Sequence, residues 1–508
     1  MENAANSSGR GQMRRDLVLL IALAFARLLI QCLTDGRYGF HRDELGMLDD
    51  ARFLDWGYVS YPPFTPFVAR IALILFGSSL IGLRFFAVLA QSMAMVIAGL
   101  MARELGGHRR AQVVAALATA ISPMSVCMGT MFQYITFDFL WWVLAAFFVI
   151  RLLRTEGLRW WLAIGAVLGL GMMTKYTMMF FIAGLVAGVM LTPARRYLKS
   201  PWLWAGVALS LGIFAPNIYW QIRHHFVSLT FLNHIHARDV RIGRTNDFLL
   251  LQPFANANLV TLPLWLAGLW FYCLSPGGHR YRALGWMYLV PLLLFLFARG
   301  RAYYMAPAYP MLFAAGALLW DNWLAQRAAW ARQLGWATTA AAFCLGAAFS
   351  AVTMMPLAPI NSVGWRLTSK LHDDFSEQIG WPQFTQTVVQ IYQSLPPNEK
   401  SHTVILAGNY GEAGALDLYG RNDLPPVISG INTFWWRGYG KSSPEVVILV
   451  GFSRESAERL AQDVKLAGLV TNPYGVRNEE TRDHPEIFVC RRFKKPWPDF
   501  WKDFQRFG

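Results

Sequence analysis

Three carboxylates and a group of cations are the residues of this chain best suited to chemistry. Asp43 and Glu44 stand together in Phe40-His41-Arg42-Asp43-Glu44, and Asp138 stands in Gln133-Tyr134-Ile135-Thr136-Phe137-Asp138-Phe139. A carboxylate in such a place takes a proton from an attacking hydroxyl or helps to hold a divalent cation, Mg or Mn. Residue type alone leaves plainer readings open: a solvated charge pair at a helix end for Asp43–Glu44, and a helix-dipole partner for Asp138. Lys175 lies in the middle of an apolar stretch, where a lysine either snorkels to the interface or fixes an anion. The run Arg299-Gly300-Arg301-Ala302-Tyr303-Tyr304 combines guanidiniums with phenols. That mixture suits a phosphate, which guanidinium engages through paired, charge-assisted hydrogen bonds. Two further segments are candidate substrate loops: Tyr61-Pro62-Pro63, a stiff turn, and His234-Ile235-His236-Ala237-Arg238-Asp239, where His236, Arg238 and Asp239 have phosphate- or sugar-binding chemistry. Two histidines at i and i+2 are weak evidence for a metal, so a metal site stays open.

The elements that position these residues are membrane spans. The chain has 508 residues, 55% of them apolar or aromatic and only 15% charged, with mean hydropathy +0.32. Soluble domains carry about 25% charged residues, and disordered chains carry few aromatics, so both classes are excluded. Long uncharged runs predict about eleven spans, near 17–33, 81–102, 111–128, 136–153, 158–174, 176–192, 202–221, 257–274, 283–298, 303–320 and 335–356. The run from Leu158 to Leu191 is too long for one crossing and reads as a tight hairpin with Lys175 at its tip. The first span has no A-x-A-like cleavage site and reads as retained. Short basic clusters recur in alternate connections (Arg14–Arg15, Arg109–Arg110, Arg151/Arg154/Arg159, Arg195–Arg196/Lys199). Setting them in the cytoplasm places the N-terminus there too, and every candidate residue on the opposite face. Residues 1–360 form the membrane domain in this reading. The tail, 361–508, is close to neutral, so the formal net charge of +15 resides in the membrane part. Topology and anionic lipid explain that excess better than nucleic acid does.

The tail reads as an extracytoplasmic α/β domain. Apolar β-prone runs at 403–407, 427–428, 445–450 and 486–490 alternate with helical stretches at 412–419 and 453–467, the second capped by Ser453. This alternation predicts a small, mostly parallel sheet. The five cysteines have neither disulfide nor zinc spacing.

Taken in order, Phe40-His41-Arg42-Asp43-Glu44, Tyr61-Pro62-Pro63, Thr174-Lys175 and Arg301-Ala302-Tyr303-Tyr304-Met305-Ala306-Pro307 resemble glycosyltransferase family 39. This is the dolichyl-phosphate-mannose protein mannosyltransferase-like group, which includes the aminoarabinose lipid A transferases. The resemblance covers roughly residues 15–320. It implies a GT-C membrane fold and transfer of a sugar from a polyprenyl-phosphate donor to an envelope acceptor, with inversion, in the bacterial inner membrane. Asp43 then matches the first-loop base with Glu44 beside it, Asp138 the second-loop acid, and Lys175, Arg301, Tyr303 and Tyr304 the donor-phosphate side. Some GT-C enzymes use a divalent cation, so metal need stays open. Gly408-Asn409-Tyr410-Gly411-Glu412-Ala413 resembles domains appended to bacterial members, with no chemistry attached. Two rivals remain: a flippase for lipid-linked sugars, and an anchored binding protein whose tail is the working part. One-sided clustering of the charges and the lack of an internal repeat count against the flippase.

Overall fold

The computed structural model describes residues 2–508. The chain packs into two compact units: one made of 1–35, 84–220 and 236–355, the other of 36–83, 221–235 and 356–508.

The first unit is helical, as lipid requires: a backbone without water partners must satisfy its own hydrogen bonds. Among the described residues six helices are long and apolar enough to cross a bilayer: Gly11–Thr34, Leu80–Glu104, Tyr134–Thr155, Pro201–Arg223, Pro276–Phe297 and Ala329–Met354. The number rises to eight if two bent pairs each count as one span. All eleven windows fall on helix, yet several helices are shorter than apolarity alone implies, because proline and hydroxyl residues break them. Arg109–Ala120 and Pro123–Thr130 meet at 61°, where Ser122 caps the second helix by accepting from the Ser125 N–H and Pro123 opens its first turn. Met178–Leu191 turns through 99° into Pro193–Lys199, with Thr192 as cap and Pro193 following it. Pro fits a first helical turn, whose N–H would lack a partner anyway. The expected hairpin is present: Trp160–Met172 and Met178–Leu191 flank a short break that holds Lys175. Close helix approach relies on small residues. A Cβ added at Gly268 would lie 2.1 Å from the Leu312 carbonyl oxygen, and one at Gly316 only 1.9 Å from that of Leu264. Leu262–Cys273 and Tyr309–Ala325 therefore cross with their backbones touching, as small-residue packing in membranes allows.

Two stretches read as loops hold helices. Residues 34–80 include Arg42–Asp50 and the apolar Phe64–Phe76, and Val227–Arg241 lies in the segment after the Pro201–Arg223 span. The tail builds a five-stranded sheet from β1 (Thr403–Ala407), β2 (Val427–Ser429), β3 (Val446–Val450), β4 (Ala461–Leu469) and β5 (Glu486–Phe493), in the order β2-β1-β3-β5-β4. β1 runs parallel to β2 and β3, while β5 is antiparallel to β3 and β4. The sheet is thus mixed, not mostly parallel. The difference has one origin: the helix expected over 453–467 stops at Leu460, and Ala461–Leu469 becomes an edge strand. Glu, Ala, Arg and Leu favour helix there, but pairing along the whole of β5 outweighs that local preference. Ser453 does cap the shortened helix. β1 and β3 are buried at every position, which is why they read as unbroken apolar runs.

Candidate active site

In the helical unit the Tyr134–Thr155 helix grips the Lys175 break from one side. Asp138, 3% exposed, accepts from Thr177 Oγ1 at 3.0 Å and from Trp142 Nε1 at 3.1 Å. Trp141 Nε1 donates to Thr174 Oγ1 at 2.9 Å. Both neighbours of the lysine's short segment are thus pinned, and the Lys175 N–H closes the turn onto the Gly171 carbonyl at 2.9 Å. The ammonium is boxed by phenol rings: Nζ lies 3.9 Å from the Tyr304 ring centroid, 5.2 Å from Tyr134 and 5.4 Å from Tyr303. A desolvated cation–π contact is worth about 2 kcal/mol. A phosphate oxygen about 4 Å away offers about 4 kcal/mol at an effective dielectric constant of 20. An arriving anion therefore adds an attraction of the same order as the ring contacts.

Arg301 is placed differently. Its Nε and Nη2 both reach Asp239 Oδ2 at 2.6 Å, and Nη1 donates to Tyr303 Oη at 3.0 Å. Arg238 lies 3.6 Å from the other oxygen of Asp239. Asp239, a candidate sugar or phosphate contact by sequence, is thus the counter-ion of Arg301, and His236 stands exposed on the same helix. Arg299 is exposed too. The charges of Lys175, Arg238 and Arg301 against Asp138 and Asp239 leave this group net cationic by one. Tyr303 touches both cations, with its ring facing Lys175 and its hydroxyl bonded to Arg301.

The other carboxylates lie in the second unit. His41 caps Arg42–Asp50: its side chain accepts from the Asp43 N–H, and Glu44 Oε2 accepts from the His41 N–H at 2.8 Å. Glu44 is fully buried and committed to that cap. Asp43, in the same first turn, keeps 28% of its side chain exposed and accepts from Tyr410 Oη at 2.7 Å. Tyr61 is buried, and its hydroxyl donates to Asp50 Oδ2 at 2.7 Å; Arg437 closes this group by pairing with Asp49 and Asp50. Tyr61 therefore belongs to the support of the Asp43 helix.

Sequence reading overlooked Tyr134, Thr174, Thr177 and Trp141 as partners of Lys175 and Asp138, and Tyr410 as partner of Asp43. Only Tyr410 had a local indication, the Asn409-x-x-Glu412 pattern that opens its helix. Among the described residues no group of three His, Cys, Asp or Glu is placed to hold a metal ion.

Residues 60–220 match the family described as dolichyl-phosphate-mannose-protein mannosyltransferase. The matched stretch is about a third of the chain and includes Tyr61, Asp138 and Lys175. A lipid A galacturonosyltransferase, RgtD of Rhizobium johnstonii, is 29% identical over 212 residues, which are 41% of this chain and 43% of that relative. The aligned stretch is thus less than half of either protein. The structure resembles ArnT from Cupriavidus metallidurans bound to undecaprenyl phosphate, with a TM-score of 0.59 at 16% identity, covering 93% of this chain and 97% of that one. It also resembles an Archaeoglobus fulgidus oligosaccharyltransferase solved with zinc and sulfate, with a TM-score of 0.50 at 14% identity, over 86% of this chain and 68% of that one. At these identities the likeness concerns the fold. The protein is a multi-pass membrane protein of GT-C architecture with a C-terminal sheet domain.

Proposed function

We propose that this protein is a glycosyltransferase of the bacterial inner membrane, moving a sugar from a polyprenyl-phosphate donor to an envelope acceptor on the extracytoplasmic face. The observation that carries this reading is the Lys175 ammonium, held among three tyrosine rings within a net cationic group that a phosphate would neutralise. The undecaprenyl phosphate in the similar ArnT structure and the lipid A substrate class of the Rhizobium relative support it.

In the reaction an acceptor hydroxyl oxygen bonds to the anomeric carbon as the bond from that carbon to the phosphate oxygen breaks. The electron pair leaves with the polyprenyl phosphate, and the acceptor proton goes to Asp43. Lys175 meets the charge that grows on the leaving phosphate, and Arg301, oriented by Asp239 and Tyr303, adds paired N–H donors. Fixed donors aimed at developing charge lower the barrier by a few kcal/mol each. Asp138 fixes the turn that presents Lys175. Attack opposite the leaving group inverts the anomeric centre. The carboxylates and histidines described do not form a three-ligand set for a divalent cation, and no step here is routed through one. On this reading the N-terminus is cytoplasmic and residues 361–508 are extracytoplasmic.

The test is incubation of purified protein with a panel of polyprenyl-phosphate sugars and lipid A, read by mass spectrometry. The expected result is glycosylated acceptor and free polyprenyl phosphate in equal amounts. Movement of the lipid-linked sugar across a vesicle membrane without release of polyprenyl phosphate would identify a flippase instead.

A further inference from the structure

The Arg42–Asp50 helix is only nine residues long, too short to be stable by itself in water. It is nonetheless buried from Glu44 to Asp50, and the surface that covers it comes from the tail. A Cβ added at Gly414 would sit 2.6 Å from the Leu45 carbonyl oxygen, one at Gly411 2.8 Å from Arg42 Cβ, and one at Gly46 3.0 Å from Tyr410 Cδ2. Three glycines thus bring the Asp43 helix and the Tyr410–Tyr419 helix into near backbone contact. Both ends are also clamped by guanidinium–carboxylate pairs. Arg42 bridges Glu479 and Glu480, the latter at 2.7 Å, and Arg437 bridges Asp49 and Asp50, the latter at 2.7 Å.

Tyr410 occupies the first turn of its own helix, fixed by a reciprocal cap. The Glu412 N–H donates to Asn409 Oδ1 at 2.9 Å, and Glu412 Oε2 accepts from the Gly408 and Asn409 N–H groups at 3.0 and 3.1 Å. The phenol has little freedom to leave its place: its ring rests on Gly46 on one side, and the Arg42 guanidinium lies 5.9 Å from its centroid. From that position its hydroxyl meets Asp43 Oδ1.

We propose that the tail is part of the catalytic apparatus and that Tyr410 is a positioning residue for Asp43, holding the carboxylate in one orientation. The inference rests on the reading of Asp43 as base. A neutral hydroxyl suits this task. It orients one carboxylate oxygen without neutralising the group, as an ammonium or guanidinium on the same oxygen would.

The test is Tyr410→Phe in the full-length protein, which keeps the ring and deletes only the hydroxyl. With a polyprenyl-phosphate sugar as donor, kcat is expected to fall about 10-fold while the donor KM stays unchanged. Gly46→Ala, which pushes the ring from its seat, should lower kcat in the same way, again with the donor KM unchanged. Unfolding temperature in detergent, measured for both variants, reports any purely structural damage. If kcat of both variants matches the wild type, or falls only in step with a lower unfolding temperature, Tyr410 is only a packing residue and the proposal fails. If the wild type consumes no donor, or Asp43→Asn is as active as wild type, it is the assignment of Asp43 that fails, a different result.

Discussion

The two polar regions hold their reactive groups by opposite means. Lys175 sits among three tyrosine faces, contacts without strong direction. Asp43 sits on a short helix fastened at both ends by ion pairs and takes a directed hydrogen bond from Tyr410. A group that binds a mobile lipid phosphate and releases it each turnover benefits from soft storage. A base that must meet one hydroxyl at one angle benefits from rigid support, since small errors of orientation are costly in rate. Softness at the phosphate and rigidity at the carboxylate are thus the same economy seen from two chemical tasks.

The sharpest way to break this comparison is Asp43→Asn. It keeps an acceptor oxygen for Tyr410 Oη, so the helix and its clamps should persist, and protein should reach the membrane folded. Transfer should drop by about 10²–10⁴-fold, the range for losing general-base catalysis. Wild-type turnover in this variant would remove Asp43 from the mechanism and leave the clamps without a catalytic purpose.

Lys175→Met tests the soft side. Methionine packs against the rings without a charge, so the fold should hold while kcat falls about 10²-fold, in line with removal of one fixed electrostatic donor. Arg301→Ala should have the smaller effect, about 10-fold on donor KM, with acceptor KM unchanged. The reason is that Arg301 is already paired with Asp239 in the free protein, and part of its charge is committed before donor arrives. Equal losses from the two variants, measured as initial rates over a donor series, would mean that Lys175 and Arg301 are not held differently.

What was legible in the sequence follows from the range of the forces involved. The spans, the Lys175 hairpin and most tail strands rest on local apolar pattern, and the structure has them near the expected residues. Asp43, Lys175 and Arg301 were visible as costly ionisable groups beside apolar runs. Their partners were not, because Tyr410 is 367 positions from Asp43 and Asp239 is 62 from Arg301, and no periodicity links such pairs. For the same reason Asp239 and Tyr61, read as substrate contacts, proved to be held by Arg301 and Asp50. The strand Ala461–Leu469 was lost to its own helix-forming composition, which only pairing with β5 overrides.

The smallest expected effect concerns the rigid side and its pH range. Glu412, the capping carboxylate of the Tyr410 helix, is 2% exposed. Burial, reinforced by nearby Glu480, pushes its pKa from 4.5 up to about 8, against the opposing pull of the backbone N–H groups of Asn409 and Gly408 and the Arg42 charge. In the unfolded chain the same group ionises near 4.5. Between those two values the unfolded state releases a proton that the folded state retains, so ionisation favours unfolding and stability declines as pH rises through that window. Glu412→Gln keeps a carbonyl oxygen for the two N–H donors and cannot ionise. Its unfolding temperature in detergent should therefore approach or exceed that of the wild type toward pH 8, with a shift of roughly 2–4 °C, and fall to or below it near pH 5. A difference between the two proteins that stays constant from pH 5 to 8 would show that Glu412 is ionised throughout. Its two N–H donors and Arg42 would then outweigh burial, and the Tyr410 helix would be capped by charge as the Asp43 helix is clamped by it.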